Sequence, residues 1–157
     1  KYGLKPYVYF IHGLPGQNRE TVTETVRTIR ELDRLGVEKI TIYRFTPLPG
    51  TSFEKFPPGA PITKDKLSRA IVEEANKVNI RRKVKLKGRK VEAIVVGKYH
   101  KNRRYNVAYP IPHGPVILLE KADKYYGFKV KVEITDVVSE RLVKGRILNV
   151  IMKVMIS

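Results

Sequence analysis

The chain has 157 residues and a formal net charge of +17 at pH 7, from 32 Lys and Arg against 15 Asp and Glu. It contains no cysteine, which excludes disulfides, thiolate zinc sites and cysteine-held iron–sulfur clusters within this chain. No apolar run approaches the ~20 residues that span a bilayer and no signal peptide is visible, so a soluble, cytoplasmic protein is expected.

Hydrophobic residues make up 42%, which suits a folded core. The chain begins at Lys1 and opens almost directly on a strand-like run, as expected of a fragment of a longer protein. The positive surplus points to a polyanionic partner, with nucleic acid first and an anionic membrane surface second. The plain alternative is a basic, solvated surface.

Tyr7 to His12 reads as a strand. It runs into Gly13-Leu14-Pro15-Gly16, and Asn18 can cap the helix that follows. Val22, Val26, Ile29 and Leu32 recur on one helical face, and Gly36 suits the stop. Val37 to Phe45 reads as the next strand, completing a β-α-β unit with a parallel crossover. Two parallel strands cannot bury their faces alone, so more sheet is expected outside this chain or in a partner. Prolines from Pro47 to Pro61 make a loop, after which Thr63 is expected to cap a second helix. Leu67, Ala70, Ile71 and Val78 are expected on its inner face.

After Gly88 the pattern becomes all-β. Val91–Val96, Tyr105–Tyr109, Val116–Leu119, Phe128–Ile134 and Lys144–Val150 read as five short strands, expected to be antiparallel and closed as a small barrel. The apolar tail from Ile147 to Ile156 is expected to complete the barrel or pack on the first region.

Two kinds of site stand out. The Gly13–Gly16 turn lies at the C-terminal end of a parallel strand, where barrel and open-sheet enzymes hold ligands. The alternative is a structural turn with no ligand. Arg44 suits a phosphate or carboxylate, or equally an ion pair with Glu38 or another acid. His12, His100 and His113 lack metal-like spacing, and no nucleophilic elbow, Walker loop or carboxylate pair is present. The other signal is three basic clusters: Arg81, Arg82 and on to Lys90; Lys98, His100, Lys101, Arg103, Arg104 and Tyr105; and Lys121, Lys124, Tyr125, Tyr126 and Lys129. Cations interleaved with tyrosines suit phosphate contact and base stacking.

Ile11-His12-Gly13-Leu14-Pro15-Gly16-Gln17 resembles the G-x-P-G-E-T turn after the fifth strand of radical S-adenosylmethionine (SAM) enzymes. Thr46-Pro47-Leu48-Pro49-Gly50-Thr51 resembles the S-P-R-P-G-T segment after their sixth. Gly88-Arg89-Lys90-Val91-Glu92, Gly127 to Asp136 (GFKVKVEITD) and Leu142 to Ile147 (LVKGRI) resemble the opening, middle and closing strands of a TRAM domain. That order is similar to the tRNA methylthiotransferases. The family's C-x-x-x-C-x-x-C loop is absent, Gln17 replaces the usual acid, and Lys98–Pro115 is less typical of TRAM than its flanks.

The resemblance implies an α/β region of late β/α units from a partial TIM-like barrel (1–62), a helix and basic linker (63–87), and a five-stranded OB-like TRAM barrel (88–157). It implies that Ile11, Gly13, Leu14, Pro15, Gly16, Tyr43, Arg44 and Phe45 lie near S-adenosylmethionine, with Ile11 on the adenine and the Tyr43–Phe45 backbone offering hydrogen bonds. It implies a [4Fe–4S] cluster held by the missing N-terminal part, so this fragment alone should be inactive. The expected partner is RNA, most readily tRNA, gripped by Arg81, Arg82, Lys98, Lys101, Arg103, Arg104, Tyr105, Lys124 and Tyr125. The alternatives are a cobalamin-dependent radical SAM enzyme on another substrate and a non-catalytic RNA-binding module.

Overall fold

The computed structural model describes residues 6–154; the last residues of the apolar tail, 155–157, lie outside the described residues. The chain divides into two units, Lys1–Asn79 and Ile80–Ser157.

In the first unit β1 (Tyr7–His12) and β2 (Lys39–Arg44) pair in parallel, with Tyr7 opposite Lys39 and His12 opposite Arg44. Helix α1 (Arg19–Leu35) connects them. Its start is a reciprocal cap: the Asn18 carboxamide accepts from Thr21 N–H, and the Thr21 hydroxyl oxygen accepts from Asn18 N–H, both at 3.0 Å. Its end is Gly36 at φ 91°, a left-handed conformation that glycine adopts without a Cβ clash.

Helix α2 spans Arg69–Val84 and begins later than the sequence predicts. Thr63 is not its cap; Asp65 instead accepts from Ser68 N–H at 2.9 Å in the turns before the helix. Leu67, outside the helical period, is therefore exposed, as is Ala70, while Ile71, Ala75 and Val78 are buried. These three pack with Val22, Ile29, Val37 and Ile40, joined by Val8 and Phe10. The helices thus cover one face of the strand pair. The opposite face leaves Tyr7, Tyr9, Ile11 and Tyr43 exposed, with the Tyr9 and Tyr43 rings stacked at 5.8 Å. Two strands close no barrel among the described residues of this unit.

In the second unit β3 (Lys90–Lys98), β4 (Tyr105–Ile111), β5 (Val116–Glu120), β6 (Phe128–Val137) and β7 (Leu142–Lys153) form a closed barrel in the order β3-β4-β5-β7-β6. The expectation of five antiparallel strands needs one correction, because β5 and β7 pair in parallel. A short 3-10 turn, Asp123–Tyr125, leads from β5 to β6, and the β6–β7 hairpin then brings β7 alongside β5 in the same direction. This mixed topology is consistent with an OB-like barrel. Ala93, Val95, Ala108, Ile117, Leu119, Val130, Val132, Ile134 and Val143 fill its core. The tail strand β7 completes the barrel, pairing along β6 as far as Lys153. Among the described residues no helix is long and apolar enough to cross a membrane.

Candidate functional sites

The GLPG turn is fixed by backbone contacts and one amide side chain. Gly13 (φ 74°) and Gly16 (φ 79°) both take left-handed conformations. A Cβ on Gly13 would lie 2.9 Å from the Gly59 Cα, so the two glycines allow strand end and proline-rich loop to touch. Phe45 N–H donates to the His12 carbonyl at 2.8 Å, and Gly59 N–H donates to the Phe45 carbonyl at 3.0 Å.

Gln17 is bonded on both sides of its amide. Its Oε1 accepts from Gly13 N–H at 2.9 Å, and its Nε2 donates to Ser68 Oγ at 2.6 Å. A backbone N–H can only donate, so the amide oxygen must face Gly13 and the NH2 must face Ser68. His12 is buried, with Nδ1 3.4 Å from Asp65 Oδ2. Burial raises the Asp65 carboxyl, but bonds from the Ser68 hydroxyl and N–H, and then His12, hold it below the ordinary value. His12 shares its strand face with Val8 and Phe10, the face that the helices cover.

Of the residues expected near a cofactor, Ile11, Leu14 and Tyr43 are exposed and apolar at this end of the strand pair. Arg44 is exposed, and it makes no ion pair with Glu38 or any other acid among the described residues. Phe45 is buried, edge-on to Phe53 at 5.9 Å. Its N–H, like that of Gly13, is already engaged within the protein. Pro15 is half-buried and Gly16 exposed.

Charge is unevenly divided. Unit two holds 19 Lys and Arg against 6 Asp and Glu, a net +13 of the +17 total. Within it, the β3–β4 loop is a formed structure. Asn102 N–H donates to the Tyr99 carbonyl at 3.2 Å, its carbonyl accepts from Tyr105 N–H at 3.1 Å, and its Oδ1 accepts from Arg104 N–H at 3.1 Å. The Tyr99 and His100 rings meet edge-on at 5.1 Å.

The cations of this cluster are not equivalent. Lys98 is paired with Asp123, whose carboxyl it holds below the ordinary value. Arg104 donates from Nε to Glu120 Oε1 at 2.6 Å, and this bond raises the guanidinium further above its ordinary value. Lys101 and Arg103 are exposed and make no ion pair among the described residues. Half-buried Tyr105 has the Lys144 Nζ 5.5 Å from its ring centre. That cation escaped the sequence reading because only the parallel β5–β7 pairing brings it near. Lys124 lies 5.0 Å from the Tyr125 ring, and Tyr125 packs against the barrel core. Arg81 and Arg82 stand in the last turn of α2, where cations suit the helix dipole.

No protein-family model matches the chain. It is 39% identical over 149 residues to an uncharacterized protein of Methanocaldococcus jannaschii, and 34% identical over 149 residues to one of Methanopyrus kandleri. Each match covers 95% of this chain, and the chain spans only 28% of the length of these relatives.

Proposed function

We propose that this chain is the C-terminal part of a radical S-adenosylmethionine enzyme that modifies RNA, with tRNA as the expected substrate. The observation that carries the RNA half is the concentration of +13 on the barrel unit, beside exposed cations and tyrosines. An OB-like barrel is a common platform for oligonucleotides, which agrees with that reading.

The α/β unit supports the enzyme half. Its strand pair has helices on one face and exposed tyrosines on the other, as late strands of a larger parallel barrel would. The outer edge of β2 is closed at Ile40 by the Asn79 side chain, which suits a last strand. S-adenosylmethionine would supply the reactive group. Exposed Ile11 and Leu14 fit an adenosine at the strand end, and Arg44 fits an anionic group there. The chain offers no thiolate for a [4Fe–4S] cluster, so cluster binding falls to the remainder of the longer protein.

The test is the coding sequence upstream of Lys1, together with RNA binding by the 157-residue chain. A C-x-x-x-C-x-x-C loop and salt-dependent tRNA binding are expected. Absence of the loop overturns the enzyme half and leaves an RNA-binding module. Absence of salt-dependent binding overturns the RNA half.

A further inference from the structure

The barrel carries a second feature besides charge. Residues alternate along β4, so Asn106 and Ala108 point inward while Tyr105, Val107, Tyr109 and Ile111 point outward. Tyr109 is 53% exposed and stands in register with Ile94 of β3, also outward. The bulge between Val95 and Gly97 leaves Val96 outside the ladder and 41% exposed. The outer surface of β3 and β4 is therefore an apolar stripe with a ring lying in it. The β3–β4 loop, with Lys101 and Arg103, borders it at one end. Glu92, on this outer face opposite Ile111, and Glu120, opposite Tyr105, are both neutralised by ion pairs, to Lys129 and Arg104.

We propose that this face binds an unpaired stretch of RNA, with a base stacked on Tyr109 and the sugar–phosphate chain running to Lys101 and Arg103. The proposal rests on the RNA reading above and deepens it. A duplex presents phosphates and ribose to a protein surface and keeps its base faces stacked inside. Against this stripe its phosphates would meet Val96, Tyr109 and Ile111, which offer them no cation. A single strand can turn its bases onto the stripe and its phosphates toward the loop, which matches the order of apolar and charged groups. The loop's own hydrogen bonds fix the backbone that carries these cations before the strand arrives.

The experiment is fluorescence anisotropy on the 157-residue chain with two probes, a single-stranded RNA of about ten nucleotides and an RNA duplex of similar length. The single strand should bind more tightly at equal salt. Tyr109→Ala should weaken it about tenfold and leave the duplex affinity and the salt slope unchanged. Tyr109→Phe keeps the ring and should restore binding, which separates stacking from a folding defect. Equal loss for both probes, or no loss for the single strand, overturns the proposal. So does sedimentation showing a dimer that Tyr109→Ala dissociates, since a second copy would then own the face. If Lys101→Ala with Arg103→Ala leaves every affinity unchanged, the phosphate path of this proposal is overturned, whereas salt-independent binding of both probes overturns the RNA reading itself.

Discussion

The Gln17 amide nitrogen donates to the Ser68 hydroxyl at 2.6 Å while its oxygen accepts from Gly13 N–H. The Ser68 hydroxyl also helps hold the Asp65 carboxyl below its ordinary value. One hydroxyl proton cannot serve two carboxylates. Gln17→Glu, the residue the radical SAM pattern would place here, should therefore leave one acid without its donor. The expected cost is about 1–2 kcal/mol, read as a lower urea midpoint for the α/β unit.

Arg104 and its neighbours should separate in RNA binding. Arg104 is already held by Glu120, whereas Lys101 and Arg103 make no such pair among the described residues. Lys101→Ala with Arg103→Ala should reduce the slope of log affinity against log salt by about 2. Arg104→Ala should change it little. A larger loss from Arg104→Ala than from the double variant would contradict this division of roles.

How far the sequence reveals all this depends on the range of the interactions. The α1 cap at Asn18 and stop at Gly36 are local, so neighbouring residues announce them. Strand alternation made the barrel legible for the same reason. The β5–β7 parallel pair was not, because it depends on which edge a late hairpin reaches. The pattern predicts α2 from Thr63, but Asp65 and Ser68 organise the turn before it and the helix starts at Arg69. In the candidate sites the basic cluster was readable as composition. Which of its cations are spent on Asp123 and Glu120 required contacts between strands.

Gly145 tests the barrel's packing. It lies on β7 opposite Ile134, and a Cβ there would collide with Val132 Cγ1 and come within 2.8 Å of Ile117 Cγ2. Both side chains belong to the filled core, so neither can withdraw freely. Gly145→Ala should cost about 1–3 kcal/mol by overpacking, measured by denaturant unfolding. Unchanged stability would mean that the barrel interior is looser than its burial implies.

Asn79 tests the closed edge of β2. Its Oδ1 accepts from Ile40 N–H at 3.0 Å and its Nδ2 donates to the Ile40 carbonyl at 2.7 Å, so one side chain satisfies the Ile40 backbone as a neighbouring strand would. Asn79→Asp keeps the shape but loses the donor and buries a carboxylate. A loss of about 2 kcal/mol is expected at pH 7, smaller in acid where the Asp is protonated and can donate again. A variant equally stable at both pH values would show that the edge is satisfied in another way.

Asp65 contributes to the acid dependence of the α/β unit. Its carboxyl is lowered on folding, so the native state binds its proton less readily than the unfolded chain does. The stability this contributes is complete above the unfolded value of about 3.9 and disappears as pH falls through the lower folded value. Asp65→Asn should therefore destabilise the unit by about 1–3 kcal/mol at pH 6, by removing the charged partner of Ser68 and His12. The gap between variant and parent should narrow below pH ~4 and close only as pH falls through the lower folded value. Urea unfolding followed at both pH values measures it directly, and a gap that stays constant into acid would show that Asp65 stabilises the turn through packing rather than through its charge.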